Sequence, residues 1–145
     1  MSTHVTGHCY CGDVTFDVTI PDDDSPIFTA YCHCDSCRRA HAAPLYQVVC
    51  VDKTQFTLTS GAELVRSYRR PGASIERRFC GQCGSRVYND HLAWKPNGKT
   101  PLTFFPALLQ NPGDLPSSLR PAKNANAGEC MLDAERLAEV LPCGS

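Results

Sequence analysis

Long apolar runs are missing from this chain, and none approaches the ~20 residues needed to cross a bilayer as a helix. An excess of either charge is missing too: 14 Lys and Arg stand against 15 Asp and Glu, for a formal net charge of −1. That balance argues against a global basic face for nucleic acid and against a polyanionic solvating tail. The first residues, Met1-Ser-Thr-His-Val-Thr-Gly-His-Cys9, lack the apolar core of a secretion signal, which predicts a soluble, cytoplasmic protein that does not engage membranes. No repeat longer than the cysteine pairs and no linker divides the chain, so residues 1–145 are expected to form one domain. Hydrophobic residues make up 42% of it, enough to exclude wholesale disorder and to build a sizeable core.

Cysteine is abundant, with ten in 145 residues. Disulfides are one account, but a chain of this length has little need of staples. Seven of the ten also cluster at one- or two-residue spacings, where neighbouring thiols cannot easily bridge one another. Metal binding is the better account.

Between the cysteine motifs the pattern is of short strands. Val14 to Ile20 alternates apolar and polar residues and leads into the charged, proline-flanked turn Pro21–Pro26. Leu45–Val51 and Gln55–Ser60 read as a hairpin about Asp52-Lys53. Leu64–Tyr68, Ile75–Phe79, Arg86–Tyr88 and Leu102–Phe105 extend the series. Asn111 to Ala127 reads as a surface loop, and Asp133 as the N-cap of a helix with Leu137, Val140 and Leu141 on one face. The fold class is mainly β with short helices.

Three motifs carry the chemistry: Cys9-Tyr-Cys11-Gly, Cys32-His-Cys34-Asp-Ser-Cys37 and Cys80-Gly-Gln-Cys83-Gly. Each reads as a knuckle that aims thiolates at one point, with Gly12 and Gly84 suited to the turn after a ligand. Seven cysteines divide as four plus three. Four close a structural zinc site, whereas three leave zinc one open position, as catalytic sites require. Spacing alone leaves open which clusters combine; the simplest division joins the two pairs and keeps the triplet whole.

Gly7-His-Cys9-Tyr-Cys11-Gly-Asp-Val14, Cys32 to Ala40 and Phe79 to Ser85 together resemble the glutathione-dependent formaldehyde-activating enzyme family, whose domain also occurs in centromere protein V. The likeness continues through Pro106–Gln110 and Leu119–Pro121 to near Pro142. It implies a β-tent fold of packed antiparallel sheets. It also implies structural zinc on Cys9, Cys11, Cys80 and Cys83, and a second zinc on Cys32, Cys34 and Cys37 beside the active site. Two departures stand out. Ala42 occupies the place of a family glycine, which predicts an altered turn, and Lys123-Asn124-Ala-Asn126 replaces a histidine-containing segment expected to line the substrate cleft.

The activity implied is that of a carbon–sulfur lyase joining a small thiol, glutathione-like, to a small aldehyde such as formaldehyde. The triplet is the catalytic candidate. Three thiolates on Zn²⁺ leave a net charge of −1, a weak Lewis acid better suited to holding an incoming thiol as thiolate. Arg38, Arg39 and Arg70 are the candidate substrate-binding residues. Arg70 belongs to the stretch from Arg66 to Arg86, which holds six arginines against Glu76 and would suit carboxylates. His33 is expected to orient its knuckle, and His41 is a candidate fourth ligand of the triplet. Cys50 reads as a buried small hydrophobe, Cys130 and Cys143 as free thiols, and Tyr88 and Trp94 as core residues. The competing reading is a non-catalytic zinc scaffold for a protein or chromatin partner.

Overall fold

The computed structural model describes residues 2–132 and the backbone of residues 143 and 144. It is mainly β, in two sheets. The smaller sheet holds β1 (Thr3–His8), β2 (Thr15–Ile20) and β5 (Phe56–Ser60), in the order β1-β2-β5. The larger comprises β3 (Phe28–Cys32), β4 (Tyr46–Asp52), β6 (Val65–Tyr68), β7 (Ile75–Cys80), β8 (Arg86–His91), β9 (Pro101–Phe104), β10 (Lys123–Ala125) and β11 (Cys143–Gly144). Its order is β11-β10-β3-β4-β9-β8-β7-β6. Pairing is antiparallel except that β10 runs parallel to both β3 and β11.

The hairpin expected about Asp52-Lys53 does not form. A 3-10 turn over Lys53–Gln55 carries the chain from one sheet to the other, so β4 pairs with β3 and β9 while β5 pairs with β2. Asp52 holds the crossing by accepting from Thr100 N at 2.7 Å and from the Thr54 hydroxyl at 2.5 Å. The stretch 111–127 is largely loop, but it contains β10, whose backbone is recruited by β3. In the acidic turn, Asp24 accepts from Lys99 Nζ at 2.9 Å and Gln55 Nε2 at 2.7 Å, which fastens the turn. The helix expected from Asp133 lies outside the described residues, as does the Cys143 side chain.

Two apolar layers result. Between the sheets, Phe16 stacks on Phe56 with ring centroids 5.0 Å apart, and Tyr88 and Phe104 complete the aromatic cluster. Tyr88 is thus a core residue, whereas Trp94 is 45% exposed, resting on Phe28 and His91. Ala30, Cys32, Val48 and Phe105 form the second layer, on the other face of the larger sheet, together with Cys37 of the helix α1 (Asp35–His41). Cys50 is fully buried as expected, and burial raises its thiol to about 12.

Candidate metal centre and adjoining cleft

Both cysteine pairs sit in hairpin turns of one geometry. Cys9 N donates to Val14 O at 3.0 Å and Cys80 N to Ser85 O at 2.9 Å, each bond spanning five residues. Gly12 and Gly84 adopt φ of 85° and 77°, the left-handed region where a Cβ is costly. The turn between β1 and β2 therefore presents Cys9 and Cys11, and the turn between β7 and β8 presents Cys80 and Cys83. The four Sγ atoms lie within 4.8 Å of one another, with Cys9–Cys11 at 3.5 Å and Cys11–Cys80 at 3.9 Å. Four sulfurs at the ~2.3 Å bond length of tetrahedral zinc stand about 3.8 Å apart, so this donor set fits that ion. Val14 N and Gln82 Nε2 donate to the Cys9 and Cys11 sulfurs, at 3.4 and 3.3 Å, and help hold their orientation.

The triplet is assembled differently. Cys32 ends β3, Cys34 caps α1 by accepting from Cys37 N at 3.4 Å, and Cys37 lies in the first turn. Its three sulfurs also meet within 4.8 Å. All seven cysteines are free thiols. His33, fully buried between Cys32 and Cys34, bonds Asn124 Oδ1 through Nε2 at 3.0 Å and donates its backbone N–H to Ala125 O. Asn124 thus sits under the knuckle, and Asn126 Nδ2 lies 3.8 Å from Cys32 Sγ. His41 is outside the sulfur group. Its ring stacks on Tyr46, with centroids 4.2 Å apart.

Two further residues reach the triplet, and neither stands out in the sequence motifs. The Tyr46 hydroxyl donates to Cys37 Sγ at 3.1 Å, and Arg77 Nη2 approaches the same sulfur at 3.6 Å. Contacts from Cys32 and Cys34, then from Tyr46 and Arg77, hold the Cys37 thiol far below the usual thiol range. Burial lowers His41 to about 4, assisted by the Arg77 and Arg86 charges. Arg77 was legible only as one of six arginines. Alternation along β7, which puts Ile75, Arg77 and Phe79 on one face, is the signal that separates it from Arg78. Arg78 instead pairs with Asp90 at 3.0 Å.

A cleft of about 900 Å³ adjoins this face, lined by Arg39, Arg70, Arg77 and Arg86 together with Tyr68 and Phe79. No carboxylate is among its lining residues. Arg86 Nε is anchored on Ala40 O, and Arg39 Nε on both oxygens of Asp35. Arg38 does not line the cleft. Its Nε donates to the carbonyl of His33 at 3.0 Å, bracing the knuckle.

A family model described as glutathione-dependent formaldehyde-activating enzyme matches residues 4–121, a span that includes all seven clustered cysteines. The chain belongs to this family. The matched span stops short of β10, so Asn124 and Asn126 lie beyond it. A crystal structure of a Rhodobacter sphaeroides protein is similar in fold, with a TM-score of 0.56. It is 22% identical, and the match covers 77% of this chain and 91% of that one.

Proposed function

We propose that this protein is a carbon–sulfur lyase that joins a small anionic thiol of the glutathione type to a small aldehyde such as formaldehyde, and reverses that addition. A carbon–sulfur bond forms at the carbonyl carbon, and the thiol proton ends on the carbonyl oxygen. The observation that carries this reading is the cleft beside the triplet, with four guanidinium groups, no carboxylate, and Arg77 reaching both cleft and sulfur.

Zinc on Cys32, Cys34 and Cys37 would favour the thiolate form of the incoming thiol, and zinc on Cys9, Cys11, Cys80 and Cys83 would be structural. Arg70 and Arg86 supply planar donors for carboxylates, and Arg39 does so once its hold on Asp35 is shared. Tyr46 and Arg77 restrain Cys37, and Arg77 also lines the cleft. Free thiols at every described cysteine suit a reducing compartment such as the cytoplasm.

Calorimetry with glutathione on the metal-loaded protein tests binding, and NMR detection of the hydroxymethyl adduct tests turnover. Affinity is expected to fall as salt rises, because exposed charge pairs are screened over about 10 Å at 0.1 M. Arg70→Ala is expected to raise the KM for glutathione several-fold while sparing an uncharged thiol such as 2-mercaptoethanol. Failure of any small thiol to bind with both metals in place would favour the scaffold reading instead.

A further inference from the structure

The face of the larger sheet that carries α1 also carries a row of polar side chains that runs from Arg77 into residues not used above. Arg77 on β7 lies opposite Asn89 on β8, and Asn89 lies opposite Thr103 on β9. Neighbours in such a row stand about 5 Å apart on one face. Asn89 and Thr103 are each only 2% exposed. Arg77 Nη1, Asn89 Oδ1 and Thr103 Oγ1 are all buried without a hydrogen-bond partner among the described residues. So are the Nε2 atoms of His41 and His91.

A buried polar atom left unpaired loses its bonds to water without replacement and is destabilising. The neighbouring positions on this face, Ala30, Val48 and Phe105, show that apolar filling is compatible with it. The unpaired atoms also specify a guest. Arg77 Nη1 only donates, Asn89 Oδ1 only accepts, and the Thr103 hydroxyl and the imidazoles do either. A carboxylate would confront Asn89 Oδ1 with another acceptor, and an apolar guest would satisfy none of them. A compact molecule with hydroxyl groups that both donate and accept matches the row. Arg77 places one end of it beside Cys37, since its Nη2 already approaches that sulfur.

We propose that Arg77, Asn89 and Thr103 form a binding site for the hydrate of a small aldehyde, a geminal diol, next to the triplet. The choice of guest rests on the lyase reading given above. The chemistry balances: the diol loses water to give the carbonyl, and the thiol adds to it, so thiol plus diol yields adduct plus water. Asn89 and Thr103 are binding residues in this scheme, and the row keeps the aldehyde apart from the arginine-lined route for the thiol.

The test uses the metal-loaded protein with ¹³C-labelled formaldehyde in water, which is present mostly as methanediol. Saturation transfer from protein to the labelled diol, measured without thiol at low temperature, is expected for the wild type and lost in Thr103→Val. In turnover, Thr103→Val and Asn89→Leu are expected to raise the KM for formaldehyde at least tenfold and leave that for glutathione within twofold. Their melting temperatures should equal or exceed the wild type's, because an unpaired buried polar atom has been removed, and Thr103→Ser should restore the KM. Saturation transfer retained in Thr103→Val, or an unchanged formaldehyde KM, means that the row holds water only and overturns the proposal. A wild type that makes no adduct sinks the lyase reading, while the saturation-transfer comparison still decides whether the row binds a diol. If Thr103→Val fails to fold, the Asn89→Leu and Thr103→Ser comparisons decide it.

Discussion

Two residues beside the triplet hold conformations or protonation states that their side chains resist. Ala42 closes α1 with φ 51° and ψ 42°, a left-handed conformation that glycine would adopt without a Cβ penalty. A Cβ in that region costs about 1–2 kcal/mol, partly offset by the lower unfolded-chain entropy of alanine. Ala42→Gly is therefore expected to stabilise the fold by about 1 kcal/mol and raise the melting midpoint by roughly 3 °C; a lower midpoint in calorimetry would refute the strain. His41 is held neutral by burial, with Arg77 and Arg86 opposing its charge and Cys34 favouring it. The unfolded chain then binds a proton near pH 6.5 that the folded one accepts only near pH 4. Stability is complete above pH 6.5 and falls as the pH drops toward 4, by up to about 3 kcal/mol. His41→Phe preserves the ring stack on Tyr46 and should flatten that slope. Urea titrations of both proteins at stepped pH, with metal content monitored, check the difference.

At the level of elements, the two cysteine constellations depend on the fold to different degrees. Cys32, Cys34 and Cys37 lie within six residues of chain, on the end of one strand and the first turn of one helix. Replacing all three with alanine is expected to leave the metal of the four-cysteine site and the far-ultraviolet spectrum intact while abolishing adduct formation. Loss of both metals together would contradict this independence. Local spacing of this kind is also what makes the triplet legible in the sequence. Partners brought in from distant strands are not. Tyr46 and Arg77 reach Cys37 across 9 and 40 positions, and no spacing rule connects them. The same limit explains the hairpin misread at Asp52-Lys53. Alternation identifies β4 and β5 as strands, but the choice between pairing with each other and entering different sheets depends on Phe28–Cys32 and Pro101–Phe104 flanking β4. The strand pattern does not reach β1, β3 or β10: Thr3–His8 and Lys123–Ala125 carry too few apolar residues, and Phe28–Cys32 is only five residues long and ends in the cysteine triplet; β2, β4 and β3 respectively impose their strand form.

Across the whole molecule, the four-cysteine site is a rivet between sheets. Cys9 and Cys11 belong to the smaller sheet's first hairpin, Cys80 and Cys83 to the β7–β8 hairpin of the larger one. Cys83→Ser is expected to abolish metal binding at this site and destabilise the metal-loaded fold by several kcal/mol, because the binding energy of an ion held there would be folding energy. Elemental analysis and thermal melting read the two effects, and a zinc-free variant that melts like the wild type would show that the aromatic layer suffices alone. The rivet also sets a timetable for the newborn chain. Ribosomes add about 5–20 residues per second, so the 72 positions from Cys11 to Cys83 take roughly 4–14 s to synthesise. Through that interval the first pair of thiols has emerged without its mates, exposed to oxidants and to stray ions. The fraction of chains that matures is therefore expected to depend on translation speed and redox poise as well as on the finished structure.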